Sequence, residues 1–205
     1  MLHRQALKLE DLEPLERHRA LLFDWDGTLA DSQAANYRAI RIALQAAGLD
    51  IAQDWFDART GISTRDMAAM VAGLAGRTID LDAVAEHRES VYLTLLPEVG
   101  EVAHVAAILR REHGHRGTAL ATGGGSATVL PTADALDLRR HFDVEVTRDD
   151  VETGKPAPDI FLRAAELLSV QPGDCLVYED SDEGLEAAAA ARMDAIDVRP
   201  LRTRT

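Results

Sequence analysis

The sequence predicts an α/β fold in which a doubly wound parallel sheet carries an all-helical insert after its first strand. Two observations predict this fold. Short apolar runs alternate with segments of helical periodicity along most of the chain, and one long interval contains helical segments only. The 205 residues, 46% of them hydrophobic, suffice for one such domain with a modest insert.

The strand candidates are short, apolar and mostly separated by helical segments. Because parallel strands need long crossover connections, this alternation favours a parallel sheet with helices on both faces. The predicted strands are 20–24, 118–121, 144–146, 175–178 and 195–198, and the predicted helices between the later strands are 101–113, 126–138, 158–169 and 182–191.

The interval between the first two strands has helical patterning throughout. Tyr37, Ile40, Leu44 and Ala47 share one helix face, and Gly48 suits the residue after that helix. Ser63 is positioned to cap a helix that runs through Met70, and 81–95 is a further helix. An insert after a strand's carboxyl end lies where open α/β sheets bind ligands, which suits a lid.

These patterns predict the domain organisation. We expect a helical cap at 33–96 between core segments 20–32 and 97–205. Residues 1–19 form an N-terminal extension that either packs on the domain or frays.

Composition and charge exclude several classes of protein. With 22 basic and 35 acidic residues the net charge is −13, which gives no electrostatic basis for binding nucleic acid or an anionic membrane. An anionic substrate would need local cations, such as a divalent metal. The single cysteine, Cys175, excludes internal disulfides and Cys-rich zinc sites. We find neither a membrane span nor a signal peptide, and expect a soluble cytoplasmic protein.

The most informative motif is Asp24-Trp25-Asp26-Gly27-Thr28, at the end of the first predicted strand. Residues i and i+2 of an extended chain point the same way, so both aspartates can face the crevice while Trp25 packs elsewhere. Gly27 permits a sharp turn. Paired carboxylates can act as nucleophile and general acid/base. The alternative is a polar loop after a strand.

Two further loops follow predicted strands. In Ala121-Thr122-Gly123-Gly124-Gly125-Ser126, backbone amides and the Thr122 hydroxyl can form an anion site, although a plain glycine loop is equally compatible with the sequence. In Gly154-Lys155-Pro156-Ala157-Pro158, the prolines stiffen the loop that presents Lys155. A lysine there can neutralise a carboxylate nucleophile, or simply be a solvated surface residue.

The last motif is Tyr178-Glu179-Asp180-Ser181-Asp182, which ends a strand and opens an alanine-rich helix. Its acidic groups either cap that helix or complete an oxygen-ligand Mg²⁺ site with Asp24 and the backbone carbonyl of Asp26.

With these four motifs in order, the sequence resembles the haloacid dehalogenase-like superfamily over about residues 20–200. The matching segments are DWDGTLADS, ATGGGS, TGKPAPDIF and VYEDSDEG. The most similar branch contains β-phosphoglucomutases and sugar-phosphate phosphatases. The resemblance implies a Rossmann-like core with a small helical cap, and Mg²⁺-dependent phosphoryl transfer.

The resemblance also implies roles for individual residues. Asp24 would be the nucleophile that forms an aspartyl-phosphate, and Asp26 would protonate the leaving oxygen and then activate water. Thr122 and amides near Gly123 would hold the phosphate, and Lys155 would neutralise the nucleophile and the phosphate. The implied metal ligands are Asp24, the carbonyl of Asp26, Asp180, and Glu179 directly or through water.

Certain residues separate reaction classes within this superfamily. Its true dehalogenases lack an acid at the position of Asp26, so Asp26 favours a phosphatase or a phosphomutase. Asn36 replaces the His that β-phosphoglucomutases use, and Thr64 replaces the Arg that directly follows their cap G-x-S, here Gly61-Ile62-Ser63. Arg65, one position later, either binds substrate phosphate or is a surface helix charge.

The leading hypothesis is a Mg²⁺-dependent phosphatase acting on a small phosphorylated metabolite, which we expect to be a sugar phosphate. The alternatives are a β-phosphoglucomutase-like sugar phosphomutase and a non-catalytic phosphate-ligand-binding protein on the same fold. We expect a monomer, with substrate choice set by the cap.

Overall fold

A computed structural model describes residues 2–59 and 62–202, so Gly61 of the cap G-x-S lies outside the described residues. The chain forms two compact units. The first comprises Met1–Asp31 with Gly100–Thr205, and the second comprises Ser32–Val99.

The first unit is built on a six-stranded, wholly parallel sheet, which confirms the predicted fold class. The strand order is β1-β8-β7-β2-β5-β6. The buried β2 lies at the centre, because its apolar residues can be covered on both faces. The strands are β1 His3–Gln5, β2 Ala20–Phe23, β5 Gly117–Ala121, β6 Val144–Val146, β7 Cys175–Glu179 and β8 Asp194–Asp197.

The register aligns the carboxyl ends of three strands. Phe23 pairs with Tyr178 of β7 on one side and with Leu120 of β5 on the other. The chain segments that leave these three strands therefore start side by side at one edge of the sheet.

Helices connect the parallel strands, as predicted, with ends that differ from the predictions by at most three residues. An apolar cluster containing Leu22, Val177 and Phe161 fills the space between sheet and helices. The helices of this unit are α5 Ala103–Glu112, α6 Ser126–Ala135, α7 Asp159–Leu167, α8 Asp182–Ala190 and α9 Arg199–Arg202.

The N-terminal segment packs on the domain, the first of the two alternatives for residues 1–19. β1 adds to the sheet edge by pairing with β8. Buried Asp194 accepts a 2.6 Å hydrogen bond from the Leu2 amide and pairs with Arg17 and His18. No strand was predicted here because the three polar residues His3–Gln5 carry no apolar pattern.

A second small sheet was also not predicted. Strand β3, Ala30–Asp31, pairs antiparallel with strand β4, Gly100–Glu101. The second unit therefore leaves and rejoins the first at two paired strands, and the insert follows β3 rather than β2. Two-residue strands are too short to give a pattern in sequence.

The second unit is helical over its described residues. Its helices are α1 Gln33–Ala46, α2 Gln53–Asp57, α3 Thr64–Leu74 and α4 Leu81–Thr94. Gly48 follows α1 with φ of 73°, and the Ser63 hydroxyl caps α3 by accepting from the Asp66 amide, both as predicted. Its own apolar core includes Ile40, Leu44 and Met67. The five-residue α2 was not predicted, because one helical turn shows little periodicity.

Among the described residues, none of the helices is long and apolar enough to cross a membrane.

Candidate active site

The first motif forms a tight turn directly after β2. The Trp25 carbonyl accepts hydrogen bonds from the amides of Thr28, Leu29 and Ala30, at 2.9–3.2 Å. Gly27 adopts φ of 84°, a conformation that disfavours side chains with a Cβ. Trp25 is fully buried, as its predicted packing role requires.

Asp24 lies in a buried ion-pair network with the loop lysine. The Lys155 Nζ atom donates to Asp24 Oδ1 at 2.6 Å and to Glu179 Oε2 at 2.7 Å. All three side chains are at most 9% exposed. The ammonium also lies 4.9 Å from the centre of the Phe161 ring. Lys155 is therefore not a solvated surface residue, and it joins two motifs far apart in sequence.

Glu179 is fixed at both carboxylate oxygens. Its Oε2 faces Lys155, while Oε1 accepts from the Ser181 hydroxyl at 2.7 Å and from the amides of Asp180 and Ser181 at 3.2 and 3.1 Å. Gly184 packs against it so closely that a Cβ there would lie 2.0 Å from the Glu179 carboxyl carbon. The Glu179 carboxylate occupies the space that a side chain at position 184 would need, which accounts for the glycine near the start of α8.

Three carboxylates converge at this edge of the sheet. Oxygens of Asp24, Glu179 and Asp180 lie within 4.8 Å of one another. The Thr28 hydroxyl lies 3.4 Å from Asp180 Oδ1 and donates to it. The hard oxygen donors of this group suit Mg²⁺, and their three negative charges exceed the single positive charge of Lys155. The donor set and its charge therefore fit a divalent cation.

The electrostatics of this group follow from burial and from the charge imbalance. Burial raises the pKa of Asp24 well above its ordinary value, Glu179 raises it further, and Lys155 opposes both effects. Burial lowers the pKa of Lys155, but the attraction of Asp24 and Glu179 outweighs it and raises that pKa overall. Lys155 therefore keeps its charge, and a further cation would help to ionise Asp24.

The glycine loop lies beside Asp26. A Cβ at Gly124 would be 3.5 Å from Asp26 Oδ2 and 3.4 Å from Thr122 Oγ1. The buried Thr122 hydroxyl accepts from the Gly124 amide at 3.0 Å. Among the described residues other than its chain neighbours, none has a heavy atom within 4 Å of the position that a Cβ on Gly123 would take. The loop therefore brings Thr122 and open backbone next to Asp26.

Arg65 and Asn36 belong to the second unit. Arg65 forms an exposed ion pair of 2.6 Å with Asp82. The Asn36 carbonyl oxygen accepts from Arg88, and its amide donates to the Ser32 hydroxyl at 3.3 Å. An exposed ion pair with Asp82 is compatible with either of the two expectations for Arg65.

The sequence did not identify the residues that hold the predicted ones in place. These are Thr28, Ser181, Gly184 and Phe161, all of which lie inside or next to the four motifs. A helix-opening serine is a recognisable cap signal, and Ser181 does cap α8 by accepting from Gly184 N. Its bond to Glu179 depends on the folded register and has no sequence signal.

Comparison with known proteins identifies relatives along nearly the whole chain. A family model described as haloacid dehalogenase-like hydrolase matches residues 18–192, which confirms the resemblance given by the four motifs. Fructose-1-phosphate phosphatase YqaB of Escherichia coli is 37% identical over 186 residues, covering 91% of this chain and 99% of that protein.

Two further matches are of similar extent. Phosphorylated carbohydrates phosphatase of Thermotoga maritima is 30% identical over 181 residues, covering 86% of this chain and 83% of that protein. The crystal structure of β-phosphoglucomutase from Clostridium difficile has a TM-score of 0.78 at 22% identity, covering 90% of this chain and 87% of that one, and shows a shared fold.

The packing of Gly184 gives a prediction. Gly184→Ala places a methyl group where Glu179 now lies, so Glu179 must move away from Lys155. We expect the free energy of unfolding to fall by about 1–3 kcal/mol, as for other overpacked sites, despite the better helix propensity of alanine. Chemical denaturation measures the change.

Gly173→Ala is the matched control, because no described residue beyond its chain neighbours has a heavy atom within 4 Å of the added methyl group. Its stability should change by less than about 0.5 kcal/mol. Equal stabilities for the two variants would contradict the account of how Glu179 is held.

Proposed function

This chain belongs to the haloacid dehalogenase-like hydrolase family, and on that premise we propose that it is a Mg²⁺-dependent phosphatase acting on a small sugar phosphate. The observation that carries the proposal is the convergence of side chains from all four motifs at one sheet edge. Asp24 contacts Lys155 beside Glu179 and Asp180, while Asp26 faces the Thr122 loop.

Asp24 and Asp180 would hold Mg²⁺ together with the backbone carbonyl of Asp26. Glu179 would act directly or through a water molecule, and its existing bonds to Lys155 and to the amides of Asp180 and Ser181 favour water. When bound, Mg²⁺ would offset the negative charge of the phosphoryl group that approaches a site already rich in carboxylates.

In the first step, an oxygen of Asp24 attacks phosphorus and the bond from phosphorus to the sugar oxygen breaks. The leaving oxygen takes a proton from Asp26, so the sugar departs as an alcohol and Asp24 carries the phosphoryl group. Lys155 supports this step because its ammonium neutralises charge on both the nucleophile and the phosphate.

In the second step, Asp26 accepts a proton from water, whose oxygen attacks the phosphorus of the aspartyl-phosphate. The bond between phosphorus and the Asp24 oxygen breaks, and orthophosphate and free Asp24 result. Thr122 and the amide near Gly123 would hold the phosphate oxygens through both steps. Because Asp26 first donates and then accepts the proton, it must lie close to the phosphate. Asp26 lies next to the Thr122 loop, which supports this role.

The relatives support the proposed substrate class. The protein from E. coli is named for fructose 1-phosphate and the one from T. maritima for phosphorylated carbohydrates. We propose that the helical segment 33–96 acts as a cap that selects the sugar, and that the protein acts as a cytoplasmic monomer. The phosphomutase alternative predicts conversion between glucose 1-phosphate and glucose 6-phosphate, and Asn36 in place of histidine argues against it.

The proposed chemistry predicts the behaviour of two variants. Asp24→Asn should lower kcat for phosphate release by about 10⁴-fold or more, because the nucleophile is lost. Asp26→Asn should lower it by about 10²–10⁴-fold, because the proton donor is lost. Phosphate release from a panel of sugar phosphates, measured with Mg²⁺ and after chelation, provides the test.

The control is Asp134→Asn, an exposed aspartate paired with Arg139, which should leave kcat unchanged. Wild-type protein that releases no phosphate from any ester of the panel would contradict the proposal. NMR of β-glucose 1-phosphate incubated with the enzyme would then distinguish a mutase from a protein that only binds phosphate.

We further propose that Arg65 contributes to substrate binding. Arg65→Ala should raise KM for the best substrates with little change in kcat, because a contact made equally in ground and transition states affects KM alone. Arg41→Ala is the matched control, since Arg41 forms a comparable exposed ion pair with Asp50. If KM is unchanged for every good substrate, Arg65 is only a surface charge.

A further inference from the structure

A short turn lies between the two loops that would meet the phosphate. The turn is Arg148–Asp150, which follows β6 and precedes the loop that carries Lys155. No residue of this turn belongs to the four motifs, and Arg148 contacts both loops.

On the side of the glycine loop, the turn makes three bonds. The Arg148 amide donates to the Gly124 carbonyl at 3.0 Å. The Asp149 carboxylate accepts from the Ser126 amide at 2.8 Å and from the Ser126 hydroxyl at 2.6 Å. The glycine loop is thus held at its middle and at its end.

On the side of the lysine loop, the Arg148 guanidinium makes the contacts. It donates from Nη1 to the Val151 carbonyl at 2.7 Å and from Nη2 to the Glu152 carbonyl at 3.1 Å. A Cβ at Gly154 would lie 3.0 Å from Arg148 Nε, so the residue before Lys155 packs directly on this side chain. A planar group with several fixed donors suits two successive carbonyls.

Hydrogen bonds between the residues at its two ends stabilise the turn. Asp150 Oδ2 accepts from both the amide and the hydroxyl of Thr147, each at 2.8 Å. The short segment between Thr147 and Glu152 therefore connects the two loops through hydrogen bonds.

We infer that Arg148 is a positioning residue that sets the spacing between the glycine loop and Lys155. The inference rests on the proposed function, in which Thr122 and Lys155 must contact the same phosphoryl group. Loss of the guanidinium releases the lysine loop from the turn, while the backbone bond to Gly124 can remain. Small misplacements of catalytic groups are costly, so phosphate binding and turnover should both suffer.

Arg148→Met removes the donors and keeps most of the stem. We expect kcat/KM for the best sugar phosphate to fall by about 10-fold or more. The affinity for orthophosphate, measured by calorimetry in Mg²⁺, should fall in the same direction. Arg140→Met is the matched control, because Arg140 is an exposed arginine that pairs with the exposed Asp137, and should leave both values unchanged.

A second variant tests the contact from the other side. Gly154→Ala should displace the Arg148 guanidinium by a few tenths of an ångström and lower kcat/KM in the wild-type background. In an Arg148→Ala background the same change should have no further effect, because the Nε and Cδ atoms that lie 3.0 and 3.2 Å from the added Cβ are then gone. Equal effects of Gly154→Ala in both backgrounds would overturn the inference.

The outcomes separate the inference from the proposed function. Wild-type protein without turnover on any ester contradicts the proposed function, and orthophosphate affinity then still tests Arg148. Arg148→Met with a lower unfolding temperature but unchanged kcat/KM and orthophosphate affinity shows a purely structural role and overturns the inference.

Discussion

The structure of the site depends on one buried cation placed between two buried carboxylates. Charged groups are costly to bury unless they are paired and hydrogen-bonded, and Lys155 meets both conditions through Asp24 and Glu179. Breaking such a pair leaves an uncompensated buried charge. Three chain segments must therefore keep their relative positions, namely the end of β2, the end of β7 and the loop before α7.

The sheet supplies those positions. Because β7, β2 and β5 are neighbours and parallel, the segments that follow them emerge at one edge, and the loop between β6 and α7 brings Lys155, 131 residues from Asp24, to the same edge. Additional contacts then fix each side chain. Ser181 and the amides at the start of α8 orient Glu179, and the turn after β6 connects the glycine loop to the loop of Lys155. The site is held by many modest bonds on a rigid scaffold.

The sequence was sufficient for the long elements and for naming side chains that the fold brings together. The five predicted strands exist, and most of them are short apolar runs. Asp24 follows β2 and Glu179 ends the neighbouring β7, while Lys155 reaches both from the loop between β6 and α7. Strand β1 was missed because its three residues are polar, and β3 and β4 were missed because two residues give no period. Contacts such as Gly184 with Glu179 depend on register, and the guanidinium of Arg148 makes bonds that no local pattern encodes.

Calorimetric titration of Lys155→Met tests whether the buried cation of Lys155 enables this site to bind phosphate. Lys8→Met is the control for loss of a positive charge. We expect the Lys155 variant to bind Mg²⁺ at least as tightly as wild type, because the carboxylates lose a competing cation. We expect orthophosphate, added in saturating Mg²⁺, to bind the variant about tenfold or more weakly, because a charge-assisted hydrogen bond is lost. If folded Lys155→Met binds orthophosphate as tightly as wild type, the cation of Lys155 is not what enables this acidic site to bind phosphate.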